Sequence, residues 1–268
     1  MAEAGSGAGL LSGKRALILG VANDHSIAWG IAQAMAAQGA ELAFTYQGEG
    51  FGRRVAPLAE TLGARIILPA DVRDGESLDA LFAQIAAQWG RLDILVHAIA
   101  YSDKAELSGR FVDTSRDNFL KSLDISCYSL VDLTRRAAPL MTAGGSVITL
   151  TYLGAQRVTP HYNVMGVAKA ALESAVRYLA NDLGPDGIRV NAISPGPMRT
   201  LAGAAIADAR KVYAAAERNA PLRANATLEA VGGTAVYLAS DLGACTTGEV
   251  IFVDGGFHVT GMAQPEHL

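Results

Sequence analysis

Short, almost continuous apolar runs alternate with longer helical patterns along the whole chain. We interpret seven of these runs as strands, within the segments KRALILG, ELAFTY, ARIILPADV, RLDILVHAIAY, GGSVITLTY, GIRVNAISPGP and GEVIFVDGG. Strands that are apolar throughout are typical of a sheet covered on both faces. The pattern predicts the α/β class: a doubly wound parallel sheet of Rossmann type, with helices on both faces and right-handed crossovers.

The intervening segments predict the helices. Residues 26–40 and 48–63 are amphipathic or alanine-rich and contain a glycine stop near the end of each segment. Residues 75–89 predict another helix, and residues 114–141 one long helix. A helix is expected over residues 162–184, with one or two more between residues 201 and 240. No linker interrupts the 268 residues, so we expect one domain over residues 13–268 after a loose tail over residues 1–12.

Composition excludes several functional classes. The net charge of −4 offers no basic field for nucleic acid and no polybasic surface for a membrane. The first residues lack a secretory signal, and no apolar run is long enough to span a bilayer, so we expect a cytoplasmic protein. Two cysteines, interpreted as reduced core thiols, and five histidines show no metal-ligand spacing, so no metal is expected.

The loop after the first strand has features of a phosphate site. Gly20 permits a tight turn, Ser26 is a natural N-cap, and Gly30 is expected to let the helix pack closely on the sheet. The free N–H groups at the start of this helix attract a diphosphate. The spacing departs from G-x-G-x-x-G, and a simple glycine turn before a helix remains the alternative.

The ends of the second and third strands are expected at the adenosine. Gln47 stands where an acidic residue usually binds the ribose 2′-hydroxyl, and its amide is able to make the same bond. No arginine follows at once to meet a 2′-phosphate, which favours NADH over NADPH. Asp71, beside Val72, is able to accept from the adenine amino group, but a helix-cap or turn role fits Asp71 equally well.

Tyr162 and Lys169 are seven positions apart in the segment TPHYNVMGVAK. Seven positions on a helix return almost to the same face, so both side chains are expected to point one way. An ammonium near a phenol favours the phenolate and lowers the pKa of the phenol. At the ligand edge of the sheet, such a pair serves an oxygen that gains negative charge.

With these residues in place, the chain resembles the short-chain dehydrogenase/reductase superfamily. Most members carry Tyr-x-x-x-Lys, whereas this chain has Tyr-x6-Lys with Met165 four residues before Lys169. In this departure the chain is similar to the divergent branch of bacterial enoyl-acyl-carrier-protein reductases. The segments that carry the same resemblance are LTYLGAQRVTPHYNVMGVAKAALE, GIRVNAISPGPMRTLA, LAFTYQ and GEVIFVDGGF. The likeness runs from about residue 11 to residue 262.

The resemblance implies NADH-dependent reduction of the trans-2 double bond of an enoyl thioester on acyl carrier protein. It implies three catalytic residues, Tyr152, Tyr162 and Lys169, and three substrate contacts, Ser102, Tyr152 and Tyr162. It implies that Lys169 also contacts the cofactor. The other cofactor contacts that it implies are Gly20, Ser26, Ile27, Gln47, Asp71, Val72, Ile99, Met198, Arg199, Thr200, Leu201 and Ala202. A homotetramer and a mobile lid over residues 201–218 are also implied, although an ordinary surface helix fits that segment equally well.

Ala100 departs from this family, which usually has a glycine there beside the nicotinamide, and the extra methyl should weaken planar biaryl-ether inhibitors. Three other functions remain open at this point. The chain would alternatively reduce a carbonyl or an enoyl-CoA ester, bind NAD as a non-catalytic regulator, or act as an interaction module. Fold alone does not decide among them.

Overall fold

Seven parallel strands form the centre of the molecule in a computed structural model that describes residues 9–204 and 208–267. The strand order is β3-β2-β1-β4-β5-β6-β7, and every neighbouring pair is parallel. The strands are β1 (Arg15–Leu19), β2 (Glu41–Tyr46), β3 (Ile66–Pro69), β4 (Ile94–His97), β5 (Gly145–Leu150), β6 (Ile188–Pro195) and β7 (Val250–Val253). The predicted fold class is confirmed.

Nine α-helices lie in the described part of the chain. They are α1 (Ile27–Ala37), α2 (Gly48–Thr61), α3 (Gly75–Trp89), α4 (Arg116–Leu123), α5 (Ser129–Ala137), α6 (Val164–Leu183), α7 (Leu201–Ala204), α8 (Ala209–Asn219) and α9 (Leu228–Ala239). None of the helices in these residues is both long and apolar enough to cross a membrane.

Two apolar cores cover the two faces of the sheet. Side chains alternate along each strand, so Ile18 joins the core under α1, α2 and α9, whereas Leu17 joins the core under α3, α5 and α6. Both residues are fully buried. Each such side chain contributes about 1.5–3 kcal/mol relative to an exposed one. The continuous apolar runs of the sequence are explained by this burial on both faces.

The long helix predicted over residues 114–141 is divided in the structure. A π-helical turn over Asp124–Tyr128 separates α4 from α5, and a short 3₁₀ turn over Ala138–Leu140 follows α5. The π turn presents the Ser126 hydroxyl to the chain after β4, where it accepts from the Tyr101 N–H and bonds the Tyr101 carbonyl at 3.0 and 3.1 Å. A contact distant in sequence therefore determines the break.

Two further expectations need correction. Gly30 packs against α9, not the sheet: a Cβ at Gly30 would lie 2.6 Å from the Leu228 Cβ. The tail was predicted too long, because Leu11 is fully buried and its N–H donates to the Gln38 carbonyl. Residues 1–8 lie outside the described residues.

Candidate active site

The carboxyl ends of β1 and β4 mark the point where the chain's path across the sheet reverses. Ligands of doubly wound sheets bind in the crevice at such a point. Gly20 follows β1 with a φ of +100°, and a Cβ there would lie 2.1 Å from the Ala98 carbonyl oxygen, just past β4. Only glycine fits this close approach, so Gly20 occupies the predicted turn.

Ser26 is the N-cap residue of α1, as predicted, but its hydroxyl acts on the preceding loop. The Ser26 Oγ accepts from the N–H groups of Ala22 and Asn23 at 3.0 and 3.1 Å, and it makes no bond to the first turn of α1. The hydroxyl shapes the loop, and the first N–H groups of α1, where Ile27 is the first residue, are left for an anion.

Gln47 and Asp71 come together although they follow different strands. The Gln47 Nε2 donates to the Asp71 Oδ2 at 3.1 Å. The other Asp71 oxygen accepts from the Arg73 N–H at 3.0 Å, so Asp71 is also a turn residue, whereas Asp74 caps α3. Val72 is half-buried against the core beside it. An amide and a carboxylate thus lie side by side where an adenosine is expected.

The chain after β4 borders the centre of the site. Ile99 packs on the core below, and Ala100 is exposed. The Ser102 hydroxyl is hydrogen-bonded with the Asn118 side-chain amide at 3.2–3.3 Å. The predicted substrate contact of Ser102 is untested by this geometry and stays a prediction.

The loop after β6 faces the loop after β1 across a cavity of about 190 Å³. Its lining includes His25 together with Met198, Arg199 and Thr200, three of the predicted cofactor residues. The Thr200 Oγ1 accepts from the Gly203 N–H at 3.0 Å, and the Arg199 guanidinium lies 4.7 Å from the centre of the Tyr213 ring. Leu201 and Ala202 belong to α7, and Leu201 is exposed. Residues 205–207 of the expected lid lie outside the described residues.

Tyr162 does not lie on α6, and the predicted shared helix face is wrong. The helix begins at Val164, and Tyr162 belongs to a turn over residues 159–163, which we call the tyrosine loop. His161 and Asn163 on either side have φ angles of 63° and 42°. Histidine and asparagine are among the non-glycine residues found most often at positive φ, and this pair, one on each side of Tyr162, aims the phenol independently of the helix.

The Tyr162 ring is buried beside Tyr152. The two ring centres lie 4.9 Å apart in an edge-on arrangement, and Tyr162 is only 8% exposed. A Cβ at Gly154 would lie 2.4 Å from the Tyr162 Cδ1, so glycine is required under the ring. Burial, with smaller effects of Tyr152 and Glu173, raises the pKa of the Tyr162 phenol, contrary to the lowered pKa expected from Lys169. Tyr162 is therefore a neutral hydrogen-bond donor at neutral pH.

Lys169 lies one and a half turns into α6 and is almost fully buried. Its Nζ donates to the Leu150 carbonyl at the end of β5, at 2.7 Å. Burial lowers the pKa of Lys169 to about 8, with partial compensation by Cys127 and Glu173. The Glu173 carboxylate accepts hydrogen bonds from the Thr151 hydroxyl at 2.8 Å and from the Gln156 Nε2 at 3.0 Å. The ammonium thus stands at the ligand edge with part of its hydrogen-bonding capacity free.

His97 is a structural residue, as expected for a core histidine. Its ring nitrogens lie 2.8 Å from the hydroxyls of Thr149 and Ser129. Burial, reinforced by Lys169, lowers the pKa of His97 to about 3, so the imidazole is neutral. The two cysteines are free thiols, but Cys245 is exposed, not in the core.

A second, larger cavity of about 330 Å³ opens at the opposite edge of the sheet, among residues such as Lys14, Asp93 and Arg189. That edge holds the amino ends of the strands, where doubly wound sheets do not bind their main ligand. The buried phenol and ammonium lie at the other edge, so we assign the active site there.

These residues fit a dinucleotide. The Gly20 turn and the N-terminus of α1 suit a diphosphate, the Gln47–Asp71 pair suits an adenosine, and Lys169 suits ribose hydroxyls. No sequence pattern pointed to Gly154 or Glu173, because their roles depend on packing. His161 and Asn163 carried a weak signal, their tolerance of positive φ. In the described residues, no group of three or more His, Cys, Asp or Glu is arranged to hold a metal ion.

The fold and the Tyr/Lys site together define a reductase of the short-chain dehydrogenase type. The family model described as enoyl-(acyl carrier protein) reductase matches residues 20–258. The chain belongs to this family. It is 58% identical over 260 residues to enoyl-acyl-carrier-protein reductase (NADH) 2 of Rhizobium meliloti (strain 1021), covering 97% of each chain.

Two crystal structures are similar to this chain over almost their entire length. That of the enoyl-acyl-carrier-protein reductase of Anaplasma phagocytophilum in complex with NAD has a TM-score of 0.93 at 57% identity, covering 96% of this chain and 98% of that chain. The Bacillus cereus enzyme with NADP⁺ and an indole naphthyridinone also gives 0.93, at 50% identity, covering 95% of this chain and 100% of that chain.

Proposed function

We propose that this protein reduces the trans-2 double bond of an enoyl thioester on acyl carrier protein with NADH, the final step of the fatty-acid elongation cycle. The observation that carries the proposal is the pair of buried groups at the ligand edge, the Tyr162 phenol beside Tyr152 and the Lys169 ammonium. Membership of the enoyl reductase family supports the same reaction.

In this proposal the β-carbon of the double bond would receive a hydride from NADH held at the ligand edge. Negative charge then develops on the thioester oxygen, and the Tyr162 hydroxyl donates a hydrogen bond to that oxygen, which stabilises the enolate. The raised pKa of Tyr162 suits this role, because a neutral phenol is a donor whereas a phenolate is not. The α-carbon of the enolate then takes a proton from water, which completes the saturated thioester.

The changed spacing of Tyr and Lys has a geometric reason in this proposal. In carbonyl reduction, the oxygen is attached to the carbon that receives the hydride, whereas in enoyl reduction it lies two bonds further away. A phenol that leaves the helix at Tyr162, in place of one at Met165, reaches this more distant oxygen. Met165 belongs to the same buried apolar cluster as Tyr162.

Lys169 is proposed to bind the nicotinamide ribose. The other cofactor contacts are proposed as the resemblance implies them: Gly20, Ser26, Ile27, Gln47, Asp71, Val72 and Ile99 with the adenosine half, and Met198, Arg199, Thr200, Leu201 and Ala202 with the diphosphate and carboxamide. Convergence of His25, Met198 and Thr200 on one cavity supports the second group. Arg199 fits less well, because its guanidinium stacks on Tyr213.

Steady-state oxidation of the cofactor tests the reaction and its main rival. We expect turnover with a crotonyl thioester and little with an acetoacetyl thioester, first on acyl carrier protein and then on coenzyme A. Preference for the acetoacetyl substrate would establish a carbonyl reductase instead. A protein that binds NADH and turns over neither substrate would be a regulator.

The same assay with NADPH tests the cofactor choice. Gln47, next to the Asp71 carboxylate, disfavours a 2′-phosphate, so we expect a lower KM for NADH. The homotetramer implied by the resemblance and the cytoplasmic location expected from the sequence stay predictions, as does the mobility of residues 201–218.

A further inference from the structure

A contact between a histidine and a carboxylate joins the tyrosine loop to the start of α8, the second helix after β6. The His161 Nε2 lies 3.6 Å from the Asp208 Oδ2. His161 directly precedes Tyr162, and Asp208 directly precedes α8. We infer that His161 is a positioning residue whose protonation ties the start of α8 to the tyrosine loop, so that affinity for the enoyl thioester rises as the pH falls. The inference rests on the proposed function.

The backbone at both ends of this contact is unusual. His161 and Asp208 have φ angles of 63° and 55°, a region that most side chains avoid. Such conformations persist where surrounding contacts hold them, and they concentrate at functional sites. The left-handed turn at His161 aims Tyr162, and the one at Asp208 starts α8. The contact therefore connects two turns with positive φ, one in the tyrosine loop and one at the start of α8.

The Asp208 carboxylate is free to serve two cations. Although Asp208 is the N-cap residue of α8, its side chain makes no capping hydrogen bond to that helix. One oxygen lies 2.9 Å from the Lys211 Nζ, and the other faces His161. Lys211, and His161 to a smaller degree, lower the pKa of the Asp208 carboxyl, so this group is ionised throughout the range in which a histidine titrates.

Other charged groups near the tyrosine loop have partners elsewhere. The Arg157 Nη1 donates to the Thr260 carbonyl at 3.0 Å. The Glu106 carboxylate accepts from Ser115 and Asn118, although its backbone carbonyl accepts from Asn163. In the part of the chain that the structure describes, Asp208 is the carboxylate within ion-pair distance of His161, and Lys211 is the cation beside it. Without the proton on His161, the ion pair is that of Asp208 with Lys211. Protonation of His161 adds a second cation, so that the Asp208 carboxylate lies between two positive charges.

The effect is moderate because both side chains are partly exposed, at 34% for His161 and 48% for Asp208. Exposed ion pairs change an equilibrium by about two- to fivefold, and salt screens them. We therefore expect the KM for a crotonyl thioester to be about two- to fivefold lower at pH 5.5 than at pH 7.5, with kcat less affected and the difference reduced in 0.5 M salt.

Steady-state profiles with saturating NADH test this inference in three variants. His161→Asn keeps a residue that tolerates positive φ and removes the ionisable ring, and Asp208→Asn removes the charge at the same size. Both should abolish the pH dependence of KM. Lys211→Met, the matched control, leaves the His161–Asp208 pair in place and should retain it. An equal pH dependence in the wild type and in His161→Asn would overturn the inference.

Amide hydrogen exchange of α8 provides a readout that needs no turnover. Dividing the exchange rate in the wild type by the rate in His161→Asn at the same pH cancels the intrinsic pH dependence of amide exchange. We expect greater protection in the wild type at pH 5.5 and no difference at pH 7.5. A protein with this exchange difference and no enoyl reduction would refute the proposed function alone. Equal exchange at both pH values would refute the inference alone.

Discussion

The two halves of the active site meet at one sheet edge but are built differently. The nucleotide half consists of the loops after β1, β2 and β3, and local turns such as the one at Gly20 shape it. The tyrosine half consists of the segment from Tyr152 to Lys169, where one buried ring, one half-buried ring and a buried ammonium depend on contacts from elsewhere in the chain. A general cofactor platform is thus joined to a reaction-specific pocket.

The comparison predicts that loss of the Tyr162 hydroxyl affects chemistry and that damage to the nucleotide half affects binding. Tyr162→Phe should lower kcat for a crotonyl thioester by about 100- to 10,000-fold, because the donor to the thioester oxygen is lost while the ring is retained. The Kd for NADH, measured by fluorescence titration, should change less than threefold.

Tyr152→Phe is the matched control for that variant. It removes a neighbouring hydroxyl at the same edge-on contact, and we expect a loss of only about three- to tenfold in kcat. Equal losses in the two variants would mean that the two phenols act as a unit, and unchanged turnover in Tyr162→Phe would contradict the assigned role.

In the nucleotide half, Gly20→Ala should have the next largest effect. The new Cβ would meet the Ala98 carbonyl 2.1 Å away, at a φ that disfavours alanine. We expect a loss of about 2–4 kcal/mol in the free energy of unfolding, measured with urea, and weaker NADH binding. Gly50→Ala is the control, because a Cβ there meets nothing within 4 Å. Equal stability of the two variants would contradict the tight turn.

Lys169 links the halves and should make NADH binding depend on pH. Its pKa is lowered to about 8 by burial, and the ammonium is the form that binds ribose. As the pH rises through 8 the proton is lost, so the Kd for NADH should rise by about tenfold between pH 7 and pH 9. Lys169→Gln should bind weakly at both pH values. A flat wild-type profile would show that the charge of Lys169 does not assist binding.

The smallest effect is expected at Ala100, where the halves adjoin. Ala100→Gly removes an exposed methyl beside the expected nicotinamide position. A planar biaryl ether should then bind about fivefold more tightly, because relief of one methyl of crowding is worth about 1 kcal/mol. Isothermal titration with the NAD⁺-bound protein measures this difference, and equal affinities would place the methyl outside the inhibitor site.

Local patterns in the sequence were sufficient for much of the fold. The bounds predicted for β2 and α3 are those of the structure. An apolar run marks β2, whereas an N-cap at Asp74 and a glycine stop at Gly90 mark α3. The same is true of the Gly20 turn. These signals lie within a few residues of the feature that they determine.

The tyrosine half was predicted less well because distant contacts decide it. The helix face expected for Tyr162 is wrong because His161 and Asn163 turn the chain before α6. The need for glycine at Gly154 arises only when the Tyr162 ring packs on it. Likewise, the lowered pKa expected for Tyr162 did not allow for burial, which outweighs the attraction of a nearby ammonium.

A crystal structure with NADH and a slowly reduced enoyl thioester tests the central claim most directly. The account predicts the Tyr162 hydroxyl about 3 Å from the thioester oxygen and the Lys169 Nζ at the same distance from a ribose hydroxyl. The β-carbon should face the nicotinamide. A complex in which the thioester oxygen is bound by another group, with Tyr162 turned away from it, would contradict the account.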